Sequence, residues 1–319
     1  MPQSKNGITY MNDISTLKQL NITVLSSFGH NGLDWIHSLL DDHPEVILMP
    51  AWSFYRTLDS YKNLNKVSLL SYSLFEVSKK FVDFIYKNPT YNVVRRRFIS
   101  SKIEAIEFHK HLNNFLTTSD IKLLDENLFR GVNYAFCKLH KIPICKKKII
   151  VTQEHVPWHS EKYKQLFNPK FVFIMRDPRA GIAGSWKRQQ DNTSLMKMNS
   201  LDFDKINLYW TYAYNFFRKN KDSNKIKIMV NEDMHKDLKK EMIQLCNWLS
   251  ITFTPSCLEE TFLGIEWLGE SAYLGVDELS EKPPEDFYDS KNVEARWRGR
   301  LKKNDIEMIE VMLNKIFLN

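Results

Sequence analysis

The chain is poor in cysteine and carries no recognisable leader, and both absences narrow what it can be. Four cysteines stand among 319 residues. None forms a Cys-x-x-Cys pair, so the spacing suggests neither a zinc knuckle nor a redox couple, and no metal is expected. Four are also too few for a disulfide scaffold in a chain this long. The polar start MPQSKNGITYMND lacks the apolar core of a signal peptide, which sets the expectation of a cytoplasmic protein. No apolar run of roughly 18 residues occurs, so no membrane span is expected. Internal repeats and low-complexity tracts are missing as well, which sets aside solenoids and arrays. So is the GxxxxGK[ST] loop of ordinary P-loop kinases and ATPases.

What is present is a well-stocked core. Hydrophobic residues make up 43% of the chain, with 20 Phe, 13 Tyr and 8 Trp, enough to argue against disorder. A formal net charge of +7 favours an anionic partner: nucleic acid, an anionic membrane or a phosphate-bearing small molecule. Short apolar runs at 22–25, 46–49, 149–151, 171–175 and 226–230 lack polar alternation, as strands of a parallel sheet covered on both faces do. Helical patterns at 33–40, 183–189 and 237–249 fall between them. The expected fold is therefore α/β, one domain over 20–319 with a mostly parallel central sheet and helices on both faces. Residues 53–147 break the rhythm and read as a helical insertion, 1–19 as an N-terminal extension, and 269–289 as irregular. A closing amphipathic helix is expected over 304–317, with Ile306, Ile309, Val311, Met312 and Ile316 on its apolar side.

Two strand ends carry chemistry, and ligands of open α/β sheets bind at such ends. After the first strand comes SSFGHNGLDW, where Gly29 and Gly32 let the backbone turn sharply and bring N–H groups toward an anion. An ordinary tight turn is the alternative. After the fourth strand, Arg176 can grip a phosphate with charge-assisted bonds, and Ser185, two turns into the next helix, can add a hydroxyl. An Arg–Asp surface turn is the alternative here.

Together these loops resemble the sulfotransferases that use 3′-phosphoadenosine 5′-phosphosulfate (PAPS) as donor. Gly29-His30-Asn31-Gly32-Leu33-Asp34-Trp35 stands where that family's cytosolic branch has PKSGTTW, and Arg176 and Ser185 match its second signature. HPEVILMP at 43–50, Asn231-Glu232-Asp233-Met234 in place of a YEDL turn, and Lys291 with Arg296-Trp297-Arg298 near the end extend the likeness. It covers roughly residues 22–50 and 148–301. The resemblance implies PAPS as donor and adenosine 3′,5′-bisphosphate as product. It also implies a small-molecule or carbohydrate acceptor; no nucleic-acid partner and no membrane span are expected.

Site residues follow by the same resemblance. Gln153-Glu154-His155-Val156-Pro157 stands where the family has KTHLP, making His155 the general base that takes a hydroxyl proton as oxygen attacks sulfur. His159, one helical turn on, is the second choice. Trp35 would stack on adenine; Arg176, Ser185 and Lys291 would hold the 3′-phosphate. Arg296 and Arg298 either reach the anion or flank a buried Trp297. Several positions depart from the family pattern. Its loop lysine is His30, its two threonines are Leu33 and Asp34, its second lysine is Gln153, and Ser185 lies one position late. A non-catalytic relative that binds a nucleotide or glycan is the competing expectation.

Overall fold

Parallel strands buried on both faces need continuous apolar runs, and five largely apolar runs form one sheet in this chain, the last of them, at 226–230, only partly covered. The computed structural model describes residues 5–27, 31–50, 52–65, 73–87, 99–119, 124–156, 158–191, 203–220, 223–269 and 288–318. Helix α1 (Lys5–Gln19) precedes β1 (Asn21–Ser26), followed by α2 (Leu33–Leu39) and β2 (Val46–Leu48). Four helices then fill the expected insertion: α3 (Phe54–Asn65), α4 (Leu74–Lys87), α5 (Lys102–Thr117) and α6 (Leu124–Leu139). The alternation resumes with β3 (Ile149–Glu154), α7 (His159–Phe167), β4 (Lys170–Met175), α8 (Pro178–Asp191), α9 (Phe203–Asn220) and β5 (Ile226–Val230). Helices α10 (Asn231–Lys236) and α11 (Leu238–Leu249), the hairpin β6 (Thr261–Phe262) and β7 (Ile265–Glu266), α12 (Ser290–Ala295) and α13 (Lys303–Leu318) complete the order.

The sheet order is β2-β3-β1-β4-β5, with every pairing parallel. Side chains alternate between two cores, as a pleat of period two demands. Ile22, Val24, Ile47, Ile150, Phe171 and Phe173 join one core with the insertion helices. Leu25, Val46, Leu48, Val151, Val172 and Ile174 join the other, with α2 and α11. Within the first core lie Trp52, Phe54, Tyr55, Phe81 and Phe84, and also Ile14 and Leu17 of α1. The segment that the sequence sets apart as an extension thus packs its helix into the core.

Differences from the sequence expectations have local causes. Helix α8 starts at Pro178, five residues before the expected 183, because proline is favoured in a first helical turn, where its missing N–H costs nothing. Asp237 is not in a helix but caps α11, its side chain accepting from Lys240 N–H. In α13, Ile309 and Met312 are buried as expected, but Val311 is exposed, since it falls between the turns that face the core. Strand β3 runs three residues beyond the expected 149–151 and carries Thr152, Gln153 and Glu154, all buried, to its end. Most of the expected irregular stretch, 270–287, lies outside the described residues.

This topology places the ligand crevice. From β1 the chain crosses to β2 on one side of the sheet; from β4 it crosses to β5 on the other. Neighbouring strands whose connections diverge leave a crevice at their carboxyl ends. Ser26, Met175 and, next to β1 on its other side, Glu154 end at that edge.

Candidate functional site

Arg176 follows β4 directly, so the strand's end fixes its backbone at the crevice. Its side chain is almost wholly buried, with Nη2 donating to Val293 O at 3.4 Å and Nε 3.9 Å from Glu232 Oε1. Glu232 also accepts from the Asp177 N–H at 2.9 Å, which ties the start of α10 to the end of β4. Asp177 itself is engaged by Arg179, at 2.7 Å, and Arg179 lies over the Trp297 ring at 4.2 Å. The Arg–Asp turn weighed from the sequence therefore exists, but it uses Arg179 and leaves Arg176 pointing inward.

Beside Arg176, β1 ends in two serines that the sequence reading did not single out. The Ser26 and Ser27 hydroxyls are buried and meet no hydrogen-bond partner among the described residues. A buried hydroxyl without a partner costs free energy on the order of 1–3 kcal/mol, which a bound acceptor recovers. Asn31 is fully buried, its Nδ2 near Ile174 O at 3.5 Å and its Oδ1 unpartnered among the described residues. Gly32 takes φ +88°, and a Cβ there would come within 2.3 Å of Asn231 Nδ2, so this position requires glycine on both counts. Buried hydroxyl donors, a cation and a close backbone turn are the donor set an oxyanion needs, so these residues fit the phosphate or sulfonate end of a PAPS-like donor.

The remaining loop residues divide. Gly29 and His30 lie outside the described residues, as does the side chain of Ser185, whose backbone falls within α8. Leu33 is buried in the core shared with α2, so its side chain faces away from any ligand. Asp34 is half-buried on the first turn of α2. Trp35 donates from Nε1 to Glu260 Oε1 at 2.9 Å and stacks on His235 with centroids 4.3 Å apart. His235 in turn stacks on Tyr288 at 5.9 Å, and Arg296 lies 5.5 Å from that tyrosine ring. Burial, then the charges of Arg176 and Arg296, push the His235 imidazole down to about 4. Arg296 is thus drawn toward the crevice with Arg176. Lys291 is exposed, its backbone N–H capped by Asp289, and Arg298 is exposed beside Trp297 at 5.9 Å. His235 could not have been found from spacing: it meets Trp35 only through the fold, across 200 positions.

The end of β3 carries the acid–base groups. His155 is half-buried, and its Nε2 accepts from the Gln153 amide at 3.2 Å. Gln153 Oε1 accepts in turn from Nδ1 of the fully buried His37 at 2.6 Å. This relay places the His155 proton on Nδ1 and leaves the Nε2 lone pair toward Gln153. Glu154, fully buried, accepts from Ser53 Oγ at 2.7 Å and from the Val156 N–H at 3.0 Å. His159 sits between two carboxylates, with Nδ1 3.2 Å from Glu154 Oε2 and Nε2 3.0 Å from Asp59. The first of these separations lacks hydrogen-bond alignment; the second has it. Lys162 closes the cluster on Asp59 at 2.7 Å. Burial, followed by the negative charges of Asp125, Asp59 and Glu154, holds the Tyr55 phenol well above its ordinary range. A glutamate next to the expected histidine, at the last position of a strand, was the available signal for Glu154.

No family model matches the chain, and no curated protein matches it. Among solved structures it is similar to the sulfotransferase domain from the Synechococcus PCC 7002 olefin synthase, at 13% identity and TM-score 0.49, over 94% of this chain and 95% of that one. It is also similar to the sulfotransferase domain from the curacin biosynthetic pathway, at 16% identity and TM-score 0.46, over 92% of this chain and 97% of that one. Retinol dehydratase in a complex with retinol and PAP is similar at 14% identity and TM-score 0.42, over 96% and 85%. Likenesses of this strength leave the assignment of function to the site itself. Among the described residues no helix is long and apolar enough to cross a membrane.

Proposed function

We propose that the protein is a PAPS-dependent sulfotransferase acting on the hydroxyl of a small-molecule or carbohydrate acceptor. The observation that carries this reading is the pairing, at one crevice, of Arg176 and the unpartnered Ser26 and Ser27 hydroxyls with the Glu154-His155 end of the adjacent strand. Arg176, Arg296, Ser26 and Ser27 would hold the donor's anionic groups, with Ser185 of α8 as a further candidate, and Trp35 would lie beside its base. When bound, the donor supplies an electrophilic sulfonate. His155 would take the acceptor's proton at Nε2, displacing the 3.2 Å bond from Gln153 as it does so. His37 holds the Gln153 amide that faces that nitrogen. Glu154 anchors the turn that presents His155, through Ser53 and the Val156 N–H.

Calorimetric titration with adenosine 3′,5′-bisphosphate tests the binding half. Saturable binding that is weakened in Arg176→Ala is expected, and no binding at millimolar ligand rejects the reading. Labelled-sulfate transfer to a panel of alcohols and sugars tests the other half.

A second reading has its own observation. Gln153 stands at the place of a catalytic lysine and is neutral, and it occupies the His155 lone pair. A non-catalytic nucleotide- or glycan-binding protein would keep the ligand affinity and show no transfer with any acceptor.

A further inference from the structure

The opposite edge of the sheet holds a cluster with no part in this chemistry. His43 lies in the turn before β2, Cys246 in α11, and Cys257 in the 3-10 turn Pro255–Leu258. All three are fully buried, and one ligand atom from each falls within 4.8 Å of the others. Lys148 N–H donates to Glu45 O at 2.8 Å as β2 and β3 begin, which places the His43 turn at the strands' amino ends, away from the crevice. We infer that His43, Cys246 and Cys257 form a structural binding site for a divalent d10 ion of the zinc type.

Three observations converge on it. First, the sulfurs are 3.8 Å apart. Two thiolates on one tetrahedral ion, each at about 2.3 Å, stand roughly 3.8 Å apart, so the pair needs no rearrangement to share a metal. Second, His43 already has the tautomer and anchor of a ligating histidine. Its Nε2–H donates to Thr252 O at 2.8 Å, the backbone-carbonyl partner that orients metal-bound imidazoles, and Nδ1 keeps its lone pair. That lone pair accepts from the Glu45 N–H, at 3.1 Å, a bond that coordination would replace. Third, the charges balance. A divalent ion, two thiolates and a neutral imidazole form a neutral unit, the one charge state a fully buried pocket accepts cheaply.

Binding breaks two S–H bonds and forms two metal–sulfur bonds. Two protons leave to solvent, and no oxidant is consumed. The fourth position falls to a water or to the Thr254 hydroxyl, whose Oγ1 is 3.8 Å from Cys257 Sγ. Burial closes the site to any substrate, so the ion would pin the entrance of β2 to α11. Sequence spacing hid this cluster, because 203 positions separate His43 from Cys246.

Cobalt(II) titration of the full-length protein, stripped with a chelator and kept reduced, tests the site. One equivalent per chain should give a thiolate-to-cobalt charge-transfer band with the visible bands of a tetrahedral ion, and zinc should abolish both. Cys246→Ser and Cys257→Ser should each lose the charge-transfer band, while Cys145→Ser should keep it. Zinc at saturation should raise Tm by about 5 °C or more in the wild type. If a serine variant does not fold, zinc-edge X-ray absorption on the wild type decides instead, with two sulfurs and one nitrogen expected. No uptake by the reduced protein, an octahedral spectrum, or a band that survives Cys246→Ser would overturn the inference. So would a Cys246–Cys257 disulfide whose reduced form takes up no cobalt. None of these results depends on whether the crevice binds a nucleotide.

Discussion

At the end of β3 the buried carboxylate of Glu154 accepts from the Ser53 hydroxyl and from the Val156 N–H, whereas at the end of β1 the buried hydroxyls of Ser26 and Ser27 find no partner among the described residues. The two ends lie side by side in one sheet, and the difference is one of completion. A network already satisfied keeps its shape without ligand and suits groups that must be aimed, such as a base. Unsatisfied donors near a cation hold their interaction energy back for an anion. On the proposed reading the β3 end serves proton transfer and the β1–β4 end receives an anion.

The largest break in this contrast should come from the base. His155→Ala is expected to lower sulfonate transfer by about 10²–10⁴-fold while leaving adenosine 3′,5′-bisphosphate affinity within a factor of two or so. If His159→Ala has that effect and His155→Ala does not, the base is the histidine between the two carboxylates. Arg176→Ala should do the reverse of the first case, weakening the nucleotide by roughly 10–100-fold in calorimetry, as expected for lost charge-assisted bonds. Ser53→Ala should act mainly on stability. It leaves Glu154 short of one partner in a buried site, at a cost of about 1–3 kcal/mol read in denaturant unfolding.

An effect of similar size should come from acid. His235 is held neutral by burial and two arginines, with a folded pKa of about 4 against an ordinary 6.5. The unfolded chain therefore binds a proton here between these values and the folded chain does not. Its contribution to stability is complete above about pH 6.5 and is lost as pH falls toward 4, on the order of 3 kcal/mol in all. His235→Phe should flatten that part of the pH–stability curve. A bound anion screens Arg176 and Arg296 from His235, so nucleotide binding below pH 6 should take up protons. Titrations in buffers of different ionisation enthalpy measure that uptake. The smallest change is expected from Gln153→Ala, about 10-fold in kcat with nucleotide affinity unaltered, because the amide orients the base and touches no phosphate.

Sequence patterns exposed the sheet well for a physical reason. Strands inside the sheet carry mostly apolar residues until they reach their ends, so the runs at 22–25 and 171–175 stand out, while 226–230, the edge strand β5, carries Lys227 and leaves Ile228 exposed. Arg176 was legible because it breaks such a run. Ser26 and Ser27 were not, since two serines after a strand look the same whether or not anything satisfies their hydroxyls. Glu154 stayed hidden because its partners, Ser53 and His159, come from other elements. Trp35 was legible as an aromatic at the start of a helix, but its stacking on His235 and Tyr288 exists only once α2, α10 and the segment before α12 are packed together. Pairings set by tertiary contact leave no spacing to read.

The sheet order also bears on how the chain is made. The central strand β1 leaves the ribosome well before both its neighbours, β3 at Ile149–Glu154 and β4 at Lys170–Met175, which emerge more than 120 residues later. Until then the described elements available are helices and the short strand β2, itself a partner of β3, and α3 to α6 can gather their aromatic side chains while β1 waits with both edges bare. Such long-range closure slows folding and exposes a strand that pairs readily with other chains. Low temperature and slow synthesis should therefore improve the soluble yield more than any change at the crevice.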